Sequence, residues 1–130
     1  MNAEKQISII SEGAGLLKLG PRKGEYIDVG IERQSLLAST RVYLYDDNRS
    51  LLRLFEELAA NWRGWEGSKD WSSLEGDVTI SCTTDNLGHI SFNVELTNNN
   101  TEPPWTIRTK LTVDAGILEK ILKEARIVLA

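Results

Sequence analysis

Leu51 to Gly76, read LLRLFEELAANWRGWEGSKDWSSLEG, is the stretch whose reading decides the fold. Leu51, Leu54, Phe55, Leu58, Ala59 and Trp62 recur at helical spacing, the stripe of a helix that buries one side. Arg49, Arg53, Glu56, Glu57 and Arg63 fall mostly on the other side, and Arg53 and Glu57 are spaced as an ion pair one turn apart. Asp47 or Asn48 is placed as N-cap, accepting a backbone N–H from the first turn. Gly64 suits the left-handed position just past a helix, and Trp65 the next, from which its ring folds back on Ala59 and Ala60. The spacing predicts a helix over about 48–63 with Trp62 in the core, where Trp62→Ala would cost about 3–5 kcal/mol. A loop carrying Trp65 and Trp71 follows. The default role of all three rings is packing, as anchors that close a loop over the core. The functional alternative is a partner-binding hot spot or a sugar-stacking platform.

Downstream, Val78, Ile80 and Cys82 alternate with Thr79, Ser81 and Thr83, and Ile90, Phe92, Val94 and Leu96 alternate with polar residues. Between them Asp85-Asn86-Leu87-Gly88 is a turn whose glycine is free to take positive φ. These segments form a hairpin with one apolar face. After the exposed loop TNNNTEPP, Trp105, Ile107, Thr109, Leu111 and Val113 share one face of a further strand. Asp114 then caps a second helix over about 115–128, with Val113 stapled onto Leu118 and a stripe of Ile117, Leu118, Ile121, Leu122, Ala125 and Val128. Glu119 and Lys123 are spaced as a pair on its outer side.

Upstream, Lys5 to Ile10 and Leu16 to Leu19 read as short strands, the second stopped by Gly20-Pro21. Tyr26 to Arg33 alternates, with Ile27, Val29 and Ile31 inward. Leu36 to Tyr45 does the same with Val42 and Leu44 inward. Asp46-Asp47-Asn48 turns the chain into the first helix. A faint echo relates the halves: Leu44, Asp47, Leu51, Leu54, Phe55 and Leu58 superpose on Leu111, Asp114, Leu118, Ile121, Leu122 and Ala125 at an offset of 67. Any strand–cap–helix junction gives such an echo, and duplication would make each half about three strands and a helix.

Strands with one apolar face need cover on that face alone, and two amphipathic helices provide it. The expected fold is α+β: a mainly antiparallel sheet of about six to seven strands with both helices on one face, in the order ββββ-α-βββ-α. Residues 1–130 make one domain.

Composition narrows the function classes. Hydrophobic residues at 41% and charged ones at 26% describe a globular chain rather than a disordered one. No apolar run approaches the roughly 18 residues that span a membrane. MNAEKQISII lacks a secretory pattern, and the single Cys82 excludes an internal disulfide, so a reducing, cytoplasmic location is expected. The net charge is −4, and from Asp46 to Asp77 eight acids face four bases, a local balance of the same size. Such a surface disfavours nucleic acid, which wants a basic patch, and is compatible with a basic protein partner.

Catalytic chemistry finds no set of residues. His89 is the only histidine and sits at a hairpin end, where a turn role is the default; a general base would need a partner at hydrogen-bond range. Cys82 shares the inward face with Val78 and Ile80, as a small buried hydrophobe does. No His and Cys have metal-ligand spacing. Gly13-Ala14-Gly15 lacks the helix start a phosphate loop needs. Asp70, Glu75 and Asp77 would be paired carboxylates only if the fold gathered them, and clustered loop acids are ordinarily surface. No enzyme activity, cofactor or metal is expected.

Trp62-Arg63-Gly64-Trp65-Glu66-Gly67, then Trp71, Ser73-Leu74-Glu75-Gly76-Asp77 and Gly88-His89, resembles a bacterial family of small uncharacterised domains with the pattern W-x-G-W-x-G…W-x-S-L-E-G. The resemblance runs over roughly Leu54 to Leu129, and Met1 to Thr40 carries little of it. Neighbours of that family look like immunity proteins of toxin systems, small acidic α+β proteins that neutralise a toxin by binding it. The resemblance implies binding and carries over no functional residues.

These readings point to a non-catalytic, immunity-like protein-binding module that takes a basic partner, with Glu56, Glu57, Trp65, Glu66, Asp70 and Trp71 as the partner-binding residues. One alternative is a small-ligand or carbohydrate-binding domain using Trp65, Trp71 or Trp105 beside Tyr43 and Tyr45. Another is a structural homo-oligomer pairing through a strand edge such as Lys5 to Ile10.

Overall fold

The computed structural model describes residues 5–11, 13, 15–45 and 48–130, Asn48 by its backbone alone. Asp46, Asp47 and the Asn48 side chain, read above as turn and cap, lie outside the described residues.

Alternating strands build two antiparallel sheets rather than the one expected. The first is a meander of β1 (Ile7–Ile10), β2 (Leu16–Lys23), β3 (Tyr26–Arg33) and β4 (Leu36–Tyr43). Helix α1 (Asn48–Ala60) follows. The second sheet is a meander of β5 (Lys69–Ser72), β6 (Val78–Thr84), β7 (His89–Asn98) and β8 (Trp105–Asp114), followed by a 3₁₀ turn (Ala115–Ile117) and helix α2 (Leu118–Leu129). The order is therefore ββββ-α-ββββ-α, and each half has four strands and a helix, not three.

The extra strand is β5. It has four residues and only Trp71 points inward, so alternation has too little length to register. The second sheet needs it to cover the flank of β6, where Lys69 pairs with Cys82 and Trp71 with Ile80. Likewise β2 continues through Gly20-Pro21, where a stop was expected. A register shift between Leu19 and Arg22 takes up the proline, which has no N–H for the ladder. Gly20 sits there at φ +127°, and a Cβ on it would lie 2.6 Å from the Lys5 carbonyl oxygen.

The hairpin from Val78 to Leu96 forms as expected, with Val78 opposite Leu96 and Gly88 at φ +98° in its turn. Asp114 Oδ1 accepts the Gly116 N–H at 2.8 Å, but the turn it caps is the 3₁₀ segment Ala115–Ile117. Helix α2 itself starts at Leu118, later than the expected 115, with Ile117 at its N-cap and no side-chain cap bond. Helix α1 ends at Ala60, three residues early, and the chain turns through Asn61 to Arg63. That turn carries Trp62 off the buried stripe, so its ring is 53% exposed instead of in the core. The Arg53–Glu57 pair is replaced by one between Glu57 and Lys69 at 3.9 Å.

The inward faces of both sheets and both helices close around one core, centred on Phe55, Phe92, Leu51, Leu58, Ile80 and Ile121. The helices pack on each other. Helix α1 also lies against β5, and α2 against β1 and β2, so each helix covers the first strand of the opposite half. No helix among the described residues is long and apolar enough to cross a membrane.

Strand edges decide what stays accessible. β1 and β8 run close together, and side chains seal the line where they meet. Ser11 Oγ accepts from the Thr112 N–H at 3.1 Å and donates to its carbonyl at 3.3 Å. Arg33 Nη1 donates to Thr109 Oγ1 and to the Lys110 carbonyl, each at 3.1 Å. Glu124 of α2 takes the Ser8 N–H at 2.9 Å. The β1 edge, expected to be open for pairing, is therefore covered.

Candidate functional site

The Trp-rich connector is built inward. Trp71 is buried, and its indole N–H donates to Ser50 Oγ at 2.8 Å. Trp65 lies half-buried against the core, and its N–H donates to the Cys82 carbonyl on β6 at 3.2 Å. The Lys69 ammonium stands 5.7 Å from the centre of the Trp65 ring while it pairs with Glu57. Asp70 accepts the hydroxyls of Ser81 at 2.6 Å and Ser68 at 3.0 Å. Thus the fold joins Glu57, Trp65 and Lys69 in one cluster and commits Asp70 to serines. Glu56 and Glu66 remain exposed. Trp71 offers no ring to a partner.

Gly64 holds the connector close to the β6–β7 turn. It takes φ +126°, and a Cβ there would run into Asn86 Oδ1. Trp62, with the Arg63 guanidinium 5.0 Å above its ring, borders a shallow cleft of about 450 Å³ with Asn86, Gly88 and Asp114 to Gly116.

The histidine and the cysteine stand in contrasting settings, one on an exposed turn and one in the core. Asp85 Oδ1 accepts the Leu87 N–H at 2.7 Å and the His89 N–H at 3.2 Å, while Oδ2 meets His89 Nδ1 at 2.8 Å. The Leu87 amide, followed by the contacts to His89, lowers the Asp85 carboxyl below its ordinary value. This geometry closes a turn. Cys82 is buried, and loss of solvation pushes its thiol up to about 12, with Asp70 adding to the rise. It holds no thiolate at neutral pH. Among the described residues no three His, Cys, Asp or Glu gather as a metal site.

A different place draws together aromatic rings and carboxylates. The two-residue turn Gln34-Ser35 sets the β3–β4 register and puts Tyr26 opposite Tyr43. Their ring centres are 5.1 Å apart, and Tyr45 follows at 6.0 Å from Tyr43. The Tyr43 hydroxyl donates to Glu25 Oε2 at 3.4 Å; partial desolvation, then the nearby Glu25 carboxylate, raises its pKa above the ordinary value. Tyr26, Thr40, Arg41 and Tyr43 line one wall of a cleft of about 350 Å³, and Glu75, Asp77, Thr97, Asn99 and Asn100 line the other. Among the described residues the one cation lining this cleft is Arg41, which is held by Asp28 at 3.2 Å. Lys23, in register with Tyr26, belongs to β2, one strand further from the β4 edge.

The sequence points to Tyr43 and Tyr45 only beside the tryptophans, and gives Tyr26, Glu25 and Asn99 no place in a site. The signal for Tyr26 was available, since a two-residue turn after Arg33 fixes its partner. The opposite wall had no such signal, because loops from the second half supply it.

No curated protein and no solved structure matches the chain. The model of DUF6228, a family of unknown function, matches residues 18–130. The match thus takes in most of the first sheet as well as the connector and the second half, further upstream than the tryptophan motif reaches. The chain belongs to DUF6228.

Proposed function

We propose that this protein is a non-catalytic protein-binding module that takes a basic partner, and that the tyrosine-lined cleft is where it does so. One observation carries the reading: the Tyr26–Tyr43–Tyr45 cluster stands beside Glu25, Glu75 and Asp77, and the only cation among the described residues of the cleft wall, Arg41, is already paired. Tyrosine suits such a surface, since it offers large contact area with few torsions to freeze. Carboxylates beside exposed rings favour lysine and arginine through both ion pairing and cation–π contact. An immunity-like role, neutralising a basic protein by binding it, is the form this reading takes. The acidic balance of the chain supports it. Of the connector residues expected to bind, Glu57 pairs with Lys69, Asp70 accepts the Ser81 hydroxyl and Trp71 is buried. In the cleft Asp77 Oδ1 likewise accepts the Ser73 hydroxyl at 2.6 Å, which leaves Glu75 as its less engaged carboxylate.

A lysine homopolymer peptide, titrated calorimetrically at low and then physiological ionic strength, tests the reading. Binding should weaken with salt, as screening over about 8 Å requires. Tyr43→Ala and Glu75→Lys should each weaken it about tenfold, a loss of roughly 1.4 kcal/mol. Equal affinity in both variants would remove the cleft from the account.

A second reading is favoured by Asn99 and Asn100, which line the cleft together with Tyr26 and Tyr43: a carbohydrate or other small polar ligand in the same cleft, whose volume is in the range of ligand pockets. Tyrosine and tryptophan fluorescence against a sugar panel separates the two. Saturable quenching by a neutral sugar, lost in Tyr43→Ala, would favour this one.

A further inference from the structure

The β4 edge differs from the edges that meet at the β1–β8 seam. Those are sealed by Glu124, Ser11 and Arg33. β4 is the outer strand of its sheet, eight residues long, with no proline and no register shift in its pairing with β3. The Leu44 N–H donates to the Glu25 carbonyl at 2.7 Å, which fixes the phase of the ladder. By the alternation of antiparallel pairs, Val42, Thr40 and Ala38 also bond inward to β3. Leu37, Ser39, Arg41 and Tyr43 therefore turn their N–H and C=O groups outward. Among the described residues no hydrogen bond is made to them. Proteins ordinarily blunt such an edge with charge, proline, a bulge or a covering element. Here the one charge, Arg41, is paired with Asp28.

Side chains grade along this edge. At its start Leu36 and Leu37 are exposed, Leu37 at 72%. At its end lie Tyr43, Glu25 and the acidic wall of Glu75 and Asp77. We infer that β4 is a strand-addition site: an extended segment of a basic partner joins the first sheet beside β4, its apolar end at Leu36–Leu37 and its lysines or arginines in the tyrosine cleft. Backbone pairing supplies the affinity and alternate side chains the selectivity. The inference rests on the basic-partner reading above and specifies how that partner is held.

A peptide of alternating valine and lysine is the probe, in three forms: unmodified, N-methylated at alternate backbone nitrogens, and with glutamate in place of lysine. Fluorescence anisotropy against the wild-type protein should show binding of the first, a loss of about tenfold or more for the second, and none for the third. Ser39→Pro removes an outward donor and should weaken the unmodified peptide similarly while its circular dichroism stays native. If the N-methylated peptide binds as well as the unmodified one, strand addition is wrong while the basic-partner reading survives. Should neither lysine peptide bind at low ionic strength, both fall. A dimer by sedimentation that Ser39→Pro dissociates would assign the edge to a second copy of this chain and overturn the inference.

Discussion

The indole N–H of Trp71 donates to Ser50 Oγ at 2.8 Å and so pins the shortest strand of the second sheet to the first turn of α1. The ring packs against the core behind that bond, only 7% exposed. Trp71→Ala should cost about 3–5 kcal/mol, as large-to-small core changes do. Ser50→Ala should cost about 1 kcal/mol, the net worth of an ordinary hydrogen bond. Trp62→Ala should stay within about 1 kcal/mol, because its ring stands mostly in water. Urea unfolding of the three variants gives the ranking directly, and a Trp62→Ala loss as large as that of Trp71→Ala would contradict the placement of both rings.

Glu124 has a protective as well as an energetic role, since it occupies an N–H of β1 that would otherwise face a neighbouring chain. Glu124→Ala should lose about 1–2 kcal/mol, given a charge-assisted bond that is only partly buried. It should also aggregate at lower concentration than wild type, because an uncovered edge invites pairing. Light scattering on heating measures the second effect. A variant that stays as dispersed as wild type would leave Glu124 with a purely local role.

Asp85 should make the β6–β7 turn acid-sensitive. Its carboxyl lies below the ordinary value of 3.8, first because of the Leu87 amide. A depressed carboxyl stabilises the fold fully above its unfolded value, and that contribution is lost as pH falls through the folded value. Asp85→Asn should therefore be less stable than wild type at neutral pH, and the two should converge as acid protonates Asp85. Paired thermal melts from pH 7 downward would reveal the convergence; a constant gap would show that the carboxylate charge is irrelevant.

Cys82 should be inert in the native protein. With its thiol held near 12 by burial, it should not react with a thiol-disulfide reagent at pH 8 until the chain unfolds. Reaction rates in rising urea should track unfolding. Rapid labelling in buffer alone would mean that β6 opens far more readily than its position in the core implies.

Particular residues show where the sequence was sufficient. Val78 to Leu96 announced a hairpin because each inward residue is apolar, each outward one polar, and the turn supplies Gly88. Asp114 announced a cap, though of the 3₁₀ turn that precedes α2, and the stripes of both helices announced their buried faces. Each of these features is local: a period, a turn or a cap lies within one or two elements, and backbone geometry translates it directly into structure. β5 was missed since four residues with one inward ring carry no period. Trp62 was misplaced because the helix stops at Ala60, and whether a stripe continues one more turn depends on what the following chain must reach.

The expected connector site fared in the same way. Glu57, Trp65 and Lys69 do meet, but Asp70 and Trp71 are drawn into bonds with Ser81 on the neighbouring strand and Ser50 on α1. Tyr26 and Tyr43 share a register that the Gln34-Ser35 turn fixes, so one wall of the cleft was determined by the sequence alone. The opposite wall comes from Glu75, Asp77 and Asn99, and only the tertiary structure brings it there. Apolar periodicity specifies which face of a strand is buried, yet leaves open which sheet it joins and which edge stays uncovered. Those choices follow from how two four-stranded sheets and two helices enclose one shared core.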